Sequence, residues 1–183
     1  MSVEAGKWGV IYNPKAGTRK VQKRWKEIKE YMDQKGVAYD YVQSEGFGSV
    51  ERLAGILANN GYTTIVVVGG DGALNDAING IMLSNAEHKE DIAIGIIPNG
   101  IGNDFARYWD IGMDYKQAVD WIIKNRHRKI DVRFVRPGQL RHFWHGAPLP
   151  FWCGNFSPLY DSISVLELTS TILTWFAEVG GDR

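Results

Sequence analysis

The stretch that decides the fold is Thr63-Thr64-Ile65-Val66-Val67-Val68-Gly69-Gly70-Asp71-Gly72-Ala73-Leu74-Asn75-Asp76. Ile or Val fills every position from 65 to 68. Such a run predicts a strand over 63–68 that is buried on both faces, as strands of parallel sheets are. The turn Gly69-Gly70-Asp71-Gly72 comes next, then a helix over 73–83. Three glycines around one acid let backbone wrap an oxygen-rich ligand, because glycine tolerates the positive φ that wrapping needs. An aspartate beside phosphates is repulsive unless a divalent cation intervenes. Asp71 therefore points to Mg²⁺ coordination or to base work on an attacking hydroxyl. The plain alternative is a tight turn with Asp71 as a helix N-cap.

Working outward, strand-like apolar runs alternate with amphipathic segments, the pattern of stacked βαβ units. Strands are expected over 8–12, 37–42, 92–97 (stopped by Pro98) and 130–135. Helices are expected over 20–35, ended by Gly36; over 49–60, capped by Ser49 and ended by Gly61; and from Asp114 to about Lys124. The fold class is α/β, a three-layer parallel sheet with helices on both faces. Ligands of such sheets bind at the carboxyl ends of the strands, which singles out two further loops. Asn13-Pro14-Lys15-Ala16-Gly17 leaves the first strand with a cation and backbone N–H groups suited to phosphate, although Asn-Pro near a Gly is also a common turn. Pro98-Asn99-Gly100-Ile101-Gly102-Asn103-Asp104-Phe105-Ala106-Arg107 leaves the strand over 92–97. There Phe105 occupies the third-glycine position of a dinucleotide fingerprint, which disfavours a Rossmann NAD site. Asn103 and Asp104 can cap the next helix, and Arg107 can meet phosphate oxygens or pair with a carboxylate.

Composition narrows the function. The 183 residues carry 21 Lys or Arg and 21 Asp or Glu, a neutral balance that speaks against capture of nucleic acid. The basic run from Arg19 to Lys29 has Val21, Trp25, Ile28 and Met32 on its other face and reads as an amphipathic helix with a solvated side. A second reading lets that side lean on anionic lipid or nucleotide. Glycine makes up 21 of the 183 residues, about 11% against roughly 7% in average proteins, and the excess sits largely in the loops just described. Cys153 is the single cysteine, so an internal disulfide is excluded and a cytosolic setting is expected. Neither a secretory signal nor a membrane-spanning run is expected. His127, His142 and His145 lack zinc-ligand spacing. From Pro137 the texture changes: residues 142–160 hold no Asp, Glu, Lys or Arg but six aromatic rings, Phe143, Trp144, Phe151, Trp152, Phe156 and Tyr160. Residues 162–177 fit a helix or two short strands equally well.

Asn13-Pro14-Lys15-Ala16-Gly17, Gly69-Gly70-Asp71-Gly72 continuing to Ile78-Asn79-Gly80, and Pro98-Asn99-Gly100 through Gly102-Asn103-Asp104-Phe105-Ala106-Arg107 together resemble the catalytic domain of the diacylglycerol kinase family. That family includes bacterial diacylglycerol and other lipid kinases and the sphingosine and ceramide kinases. The likeness covers roughly Lys7 to Arg136. Gly-Gly-Asp-Gly by itself is shared with NAD kinases and, more distantly, phosphofructokinases. The resemblance implies an NAD kinase/diacylglycerol kinase-like N-terminal domain over 1–136, with ATP- and Mg²⁺-dependent transfer of the γ-phosphoryl group to a lipid hydroxyl such as that of diacylglycerol. Asn13, Pro14, Lys15, Ala16, Gly17, Ser44, Gly69, Gly70, Asp71, Gly72, Ala73, Leu74 and Asn75 would hold the nucleotide, with Asp71 the central acid and metal ligand. Gly100, Ile101, Gly102, Asn103 and Asp104 are assigned to the same site.

The chain departs from the family pattern at Ala73 and Ile101, where the family usually has hydroxyl residues, and at Asp76, where it usually has Glu. Members continue into a second, β-rich domain that closes the cleft. After Arg136 no matching text follows, and 137–183 is expected to be an aromatic, proline-rich tail. Three readings stand side by side. One is a cytoplasmic lipid kinase with peripheral membrane contact, working as a homo-oligomer or with a partner that supplies the missing half. Another is a non-catalytic nucleotide-binding or interaction module, and the third a truncated or frameshifted product.

Overall fold

The computed structural model describes residues 6–12, 20–46, 48–87, 89–125, 127–132 and 171–176, giving backbone alone for 20–23, 128–131 and 171–176. Strands β1 (Trp8–Tyr12), β3 (Thr64–Gly69) and β4 (Ala93–Pro98) are buried almost throughout. They pair in parallel, Val10 with Val66 and Val66 with Gly95. β2 (Tyr39–Gln43) flanks β1 in parallel as the edge strand, and its residues are half-buried or exposed. The sheet order is β2-β1-β3-β4-β6-β5, with β5 spanning His127–Val132 and β6 Thr171–Phe176. β6 is parallel to β4, so residues 171–176 take the strand option left open by their periodicity. By compactness the chain divides into Met1–Ile130 with Ile172–Arg183, and Asp131–Thr171.

Helices α1 (Lys20–Gln34), α2 (Ser49–Asn59), α3 (Asp71–Leu83) and α5 (Tyr115–Ile123) form the outer layers, and a single turn, α4 (Asp104–Tyr108), follows β4. The sheet register separates the layers. Gly9, in register with Ile65, lies against Leu57 of α2; Gly95, in register with Val66, lies against Ile122 of α5. Since neighbours in register share a face, α2 with its neighbour α3 covers one side and α5 with its neighbour α1 the other. The expected three-layer α/β fold is the one observed. The expected apolar face of α1 is present too: Ile28 and Met32 are fully buried, and Trp25 stacks on Tyr12 with 4.6 Å between centroids.

Element ends show why some boundaries moved. α1 and α2 both finish in Schellman motifs, with Gly36 at φ +70° and Gly61 at φ +85°. Val37 N–H donates to Met32 O and Gly36 N–H to Asp33 O, while Tyr62 N–H donates to Leu57 O and Gly61 N–H to Ala58 O. Val37 is thus still bonded to the helix, and β2 begins at Tyr39 rather than at 37. Ser49 does not cap α2: Gly48 holds the N-cap position, and Ser49 Oγ donates to Gly46 O at 2.6 Å. β5 starts at His127, three residues ahead of the expected 130. α3 starts at Asp71, two residues before the expected Ala73. Asp71 therefore belongs to the first turn of a helix and is half-buried, where the turn ahead of that helix was expected.

Candidate functional site

β1, β3 and β4 deliver their carboxyl ends side by side, and the order β2-β1-β3 reverses chain direction of travel at β1, the place where open α/β sheets bind ligands. The loop Asn13, Pro14, Lys15, Ala16, Gly17 leaves β1 here, but lies outside the described residues. Ser44, next to the end of β2, is buried, and its N–H donates to Tyr12 O at 2.9 Å.

The two glycine loops cross at the ends of β3 and β4. Asn99 N–H donates to Gly69 O at 2.8 Å. A Cβ on Gly100 would lie 2.6 Å from the Gly70 Cα, and one on Gly70 would lie 3.0 Å from the Gly100 Cα. Bare backbone is what lets the loops meet. The expectation of positive φ is corrected here: Gly69, Gly70, Gly72, Gly100 and Gly102 all lie outside that region. Gly70, for example, is extended at φ −106°. These glycines are needed for the room a side chain would take. The left-handed residue is Asn103, at φ 52°, a conformation that asparagine tolerates better than most residues. Its amide closes the turn on itself, Oδ1 accepting from Gly100 N–H and Nδ2 donating to Gly100 O, both at 2.9 Å.

Asp71 ties the loops together. Its Oδ2 accepts from the Asp104 N–H at 3.1 Å and its Oδ1 from the Phe105 N–H at 2.9 Å. These are two orphan donors of the first turn of α4, so the carboxylate caps a helix as the plain alternative has it, but a different helix from the one that carries it. Gly102 leaves the space: a Cβ there would be 3.2 Å from Asp71 Oδ2. Of the two partners open to Arg107, the carboxylate is the one observed, Asp104 at 3.4 Å on the exposed side of α4. Ala73 and Asn75 lie half-buried in the first turns of α3, Gly72 is exposed, and Leu74 is fully buried in the core. Ile101 is 92% exposed at the rim. Farther along α3, burial is the main cause that raises the Asp76 carboxyl above its ordinary range, with the Glu51 charge adding to it and a hydrogen bond from Asn75 opposing it.

The loops thus bring together Gly69, Gly70, Asp71, Gly100, Gly102, Asn103 and Asp104. Gly80, the last residue of the Ile78-Asn79-Gly80 string, serves packing instead. A Cβ there would run into the Glu51 carbonyl group, 2.8 Å from its carbon, where α2 crosses α3. Asn99 stands in the third loop of the sequence but was given no role of its own there. Its Nδ2 is a buried side-chain nitrogen with no hydrogen-bond partner. Its place between Pro98 and Gly100 was the available signal.

The sheet is open and parallel with its two glycine loops crossing at the carboxyl edge, and residues 7–135 match the family model of the diacylglycerol kinase catalytic domain. The chain belongs to that family. A protein named diacylglycerol kinase from Staphylococcus carnosus (strain TM300) is 32% identical over 123 residues, 67% of this chain and 39% of that protein. Its namesake from Staphylococcus haemolyticus (strain JCSC1435) is 32% identical over 123 residues, 67% of this chain and 36% of its own. The chain thus spans well under half the length of the curated relatives it matches. A crystal structure of a diacylglycerol kinase from Bacillus anthracis str. Sterne superimposes with a TM-score of 0.59 at 24% identity, over 69% of this chain and 44% of that one. At that identity the superposition speaks for the fold.

Proposed function

We propose that this chain is the nucleotide-binding half of an ATP-dependent lipid kinase that transfers the γ-phosphoryl group to a hydroxyl such as that of diacylglycerol. The observation that carries the reading is the crossing of Gly70 on Gly100 beneath a carboxylate, at the carboxyl ends of β3 and β4. Phosphoryl transfer is mostly positioning and charge stabilisation. The crossing supplies backbone close enough to meet phosphate, and Lys15 adds a cation from the loop after β1. On this reading residues 1–136 make up this half and 137–183 an aromatic, proline-rich tail, of which 171–176 pairs with β4.

Mg²⁺ at phosphoryl-transfer sites is held by one or two carboxylates together with the substrate's phosphates. Among the described residues no three His, Cys, Asp or Glu side chains converge on a metal position. Asp71 as one carboxylate ligand, completed by the nucleotide's own oxygens, is the donor set that fits, each oxygen keeping a lone pair beside the N–H it accepts. When bound, the ion would neutralise phosphate charge next to that carboxylate. Asp71 itself orients the Gly100–Asp104 turn over the phosphates through the two hydrogen bonds to α4.

The lipid acceptor places the working enzyme against a membrane surface in the cytoplasm, with a homo-oligomer or a partner domain closing the cleft. Among the described residues no helix is long and apolar enough to cross a membrane. Ile101, standing bare where the family usually has a hydroxyl, favours a second reading, a module that binds nucleotide without turnover. The test is ATP and ADP binding by calorimetry beside phosphorylation of diacylglycerol in mixed micelles. Binding with turnover supports the kinase, binding without turnover supports the module, and absence of binding removes both.

A further inference from the structure

Asn99 directly follows the last residue of β4 and is only 5% exposed. Its N–H bond to Gly69 O seats it between the ends of β3 and β4, next to the Gly70–Gly100 crossing. Its neighbour Asn103 uses its amide at both ends within the turn. Asn99 Nδ2, by contrast, is buried and donates to nothing, the one such side-chain atom among the described residues. A buried amide donor left unmade works against folding, and native structures hold few of them. An apolar residue would fill that position without the cost, as Ile97 does two residues earlier, inside β4.

Resting on the nucleotide-site reading above, we infer that Asn99 Nδ2 donates to a phosphate oxygen of the bound nucleotide. The group is a donor, so its ligand must present an acceptor, and the position adjoins backbone already bared for phosphate. Its chain neighbour Gly100 and the facing Gly70 carry no side chains that would block a ligand oxygen at this crossing. Asn99 is then a binding residue of this chain in its own right, beside the glycines and Asp71.

The experiment uses the full chain with ADP and inorganic pyrophosphate as probes, read by calorimetry and by thermal melting. Asn99→Leu keeps the four-heavy-atom side chain branched at Cγ and removes the donor. It should melt, without ligand, no lower than the wild type, and should bind both probes about tenfold more weakly. Asn99→Ala, which cannot overpack, should show the same loss of affinity. Unchanged ADP affinity in both variants, with the wild type binding, would overturn this inference and leave the nucleotide site standing. Weakening confined to ADP would overturn it as well, since the acceptor would then be on the nucleoside. Ligand-free melting lowered in both variants would show that the amide serves the fold through a buried water. A wild type that binds neither probe would defeat the nucleotide-site reading itself and this inference with it.

Discussion

The two helical layers close on one sheet by opposite means. On one face α2 and α3 approach until backbone meets backbone, with Gly80 on the Glu51 carbonyl and Gly55 facing the Gly80 carbonyl. The acids brought together there, Glu51 and Asp76, repel. On the other face α1 and α5 are held by side chains. Tyr31 donates to the Asp120 carboxylate at 3.0 Å, and Lys35 sits 2.9 Å from it. Tyr31 also meets Tyr115 edge to face. The close layer is the one whose helix begins with Asp71, so the face that sets the candidate site is held by steric fit. The other, beyond its buried apolar residues, joins its two helices through charge that solvent can screen.

The largest effect should come from filling the close contact. Gly80→Ala gains about 1 kcal/mol of helix propensity, but overpacking against a carbonyl that cannot swing aside costs about 3 kcal/mol. Urea unfolding should show a net loss of roughly 2 kcal/mol, and a variant as stable as the wild type would break the comparison. Asp71→Asn comes next. The amide retains one acceptor oxygen and loses the charge, and a hydrogen bond to a charged group contributes about 1.5–3 kcal/mol. The Asp104 and Phe105 amides should then exchange hydrogen faster while those of β3 and β4 keep their protection. Any turnover should be lost in the same variant.

The charge pairs should give the smallest effects, with opposite signs. Asp76 is raised chiefly by burial; its charged form is disfavoured in the fold, and that penalty is full above the raised pKa. Asp76→Asn should raise Tm at pH 7, with the gain fading as pH falls toward the ordinary carboxylate range. Asp120 is lowered, first by its hydrogen bond to Lys35 and against some desolvation. Its stabilisation is full above the unfolded pKa and is lost as pH falls through the depressed folded value. Asp120→Asn should lower Tm slightly at pH 7, and added salt should shrink the difference because the pair is partly exposed. Equal responses of the two variants to pH would show that the faces do not differ as described.

Much of this was legible in the chain itself. Uninterrupted apolar runs located β1, β3 and β4, and Gly36 and Gly61 ended helices as expected. The misplaced boundaries have identifiable causes, one local and one distant. β2 starts late because a Schellman motif still holds Val37, and α3 starts early because Asp71 and Gly72 take helical geometry once Asp71 has a distant pair of donors. The loops of the candidate site were visible as glycine strings, yet the role of each glycine was not. Asn103, and not a glycine, carries the left-handed turn, and Gly80 belongs to a helix crossing. Asn99 was visible in its loop but had no assigned role, because a missing partner is a property of surroundings.

Sequence by itself determined the alternation of strand and helix, the three-layer architecture and the family, because periodicity and short strings act over neighbouring residues. Tertiary structure alone decided what the strings do. The Asp71 carboxylate finds its donors 33 and 34 residues away, and Gly70 meets Gly100 only after the crossover through α3 aligns the ends of β3 and β4. Contacts between segments so far apart arise when buried strands fall into register, and no local pattern records them.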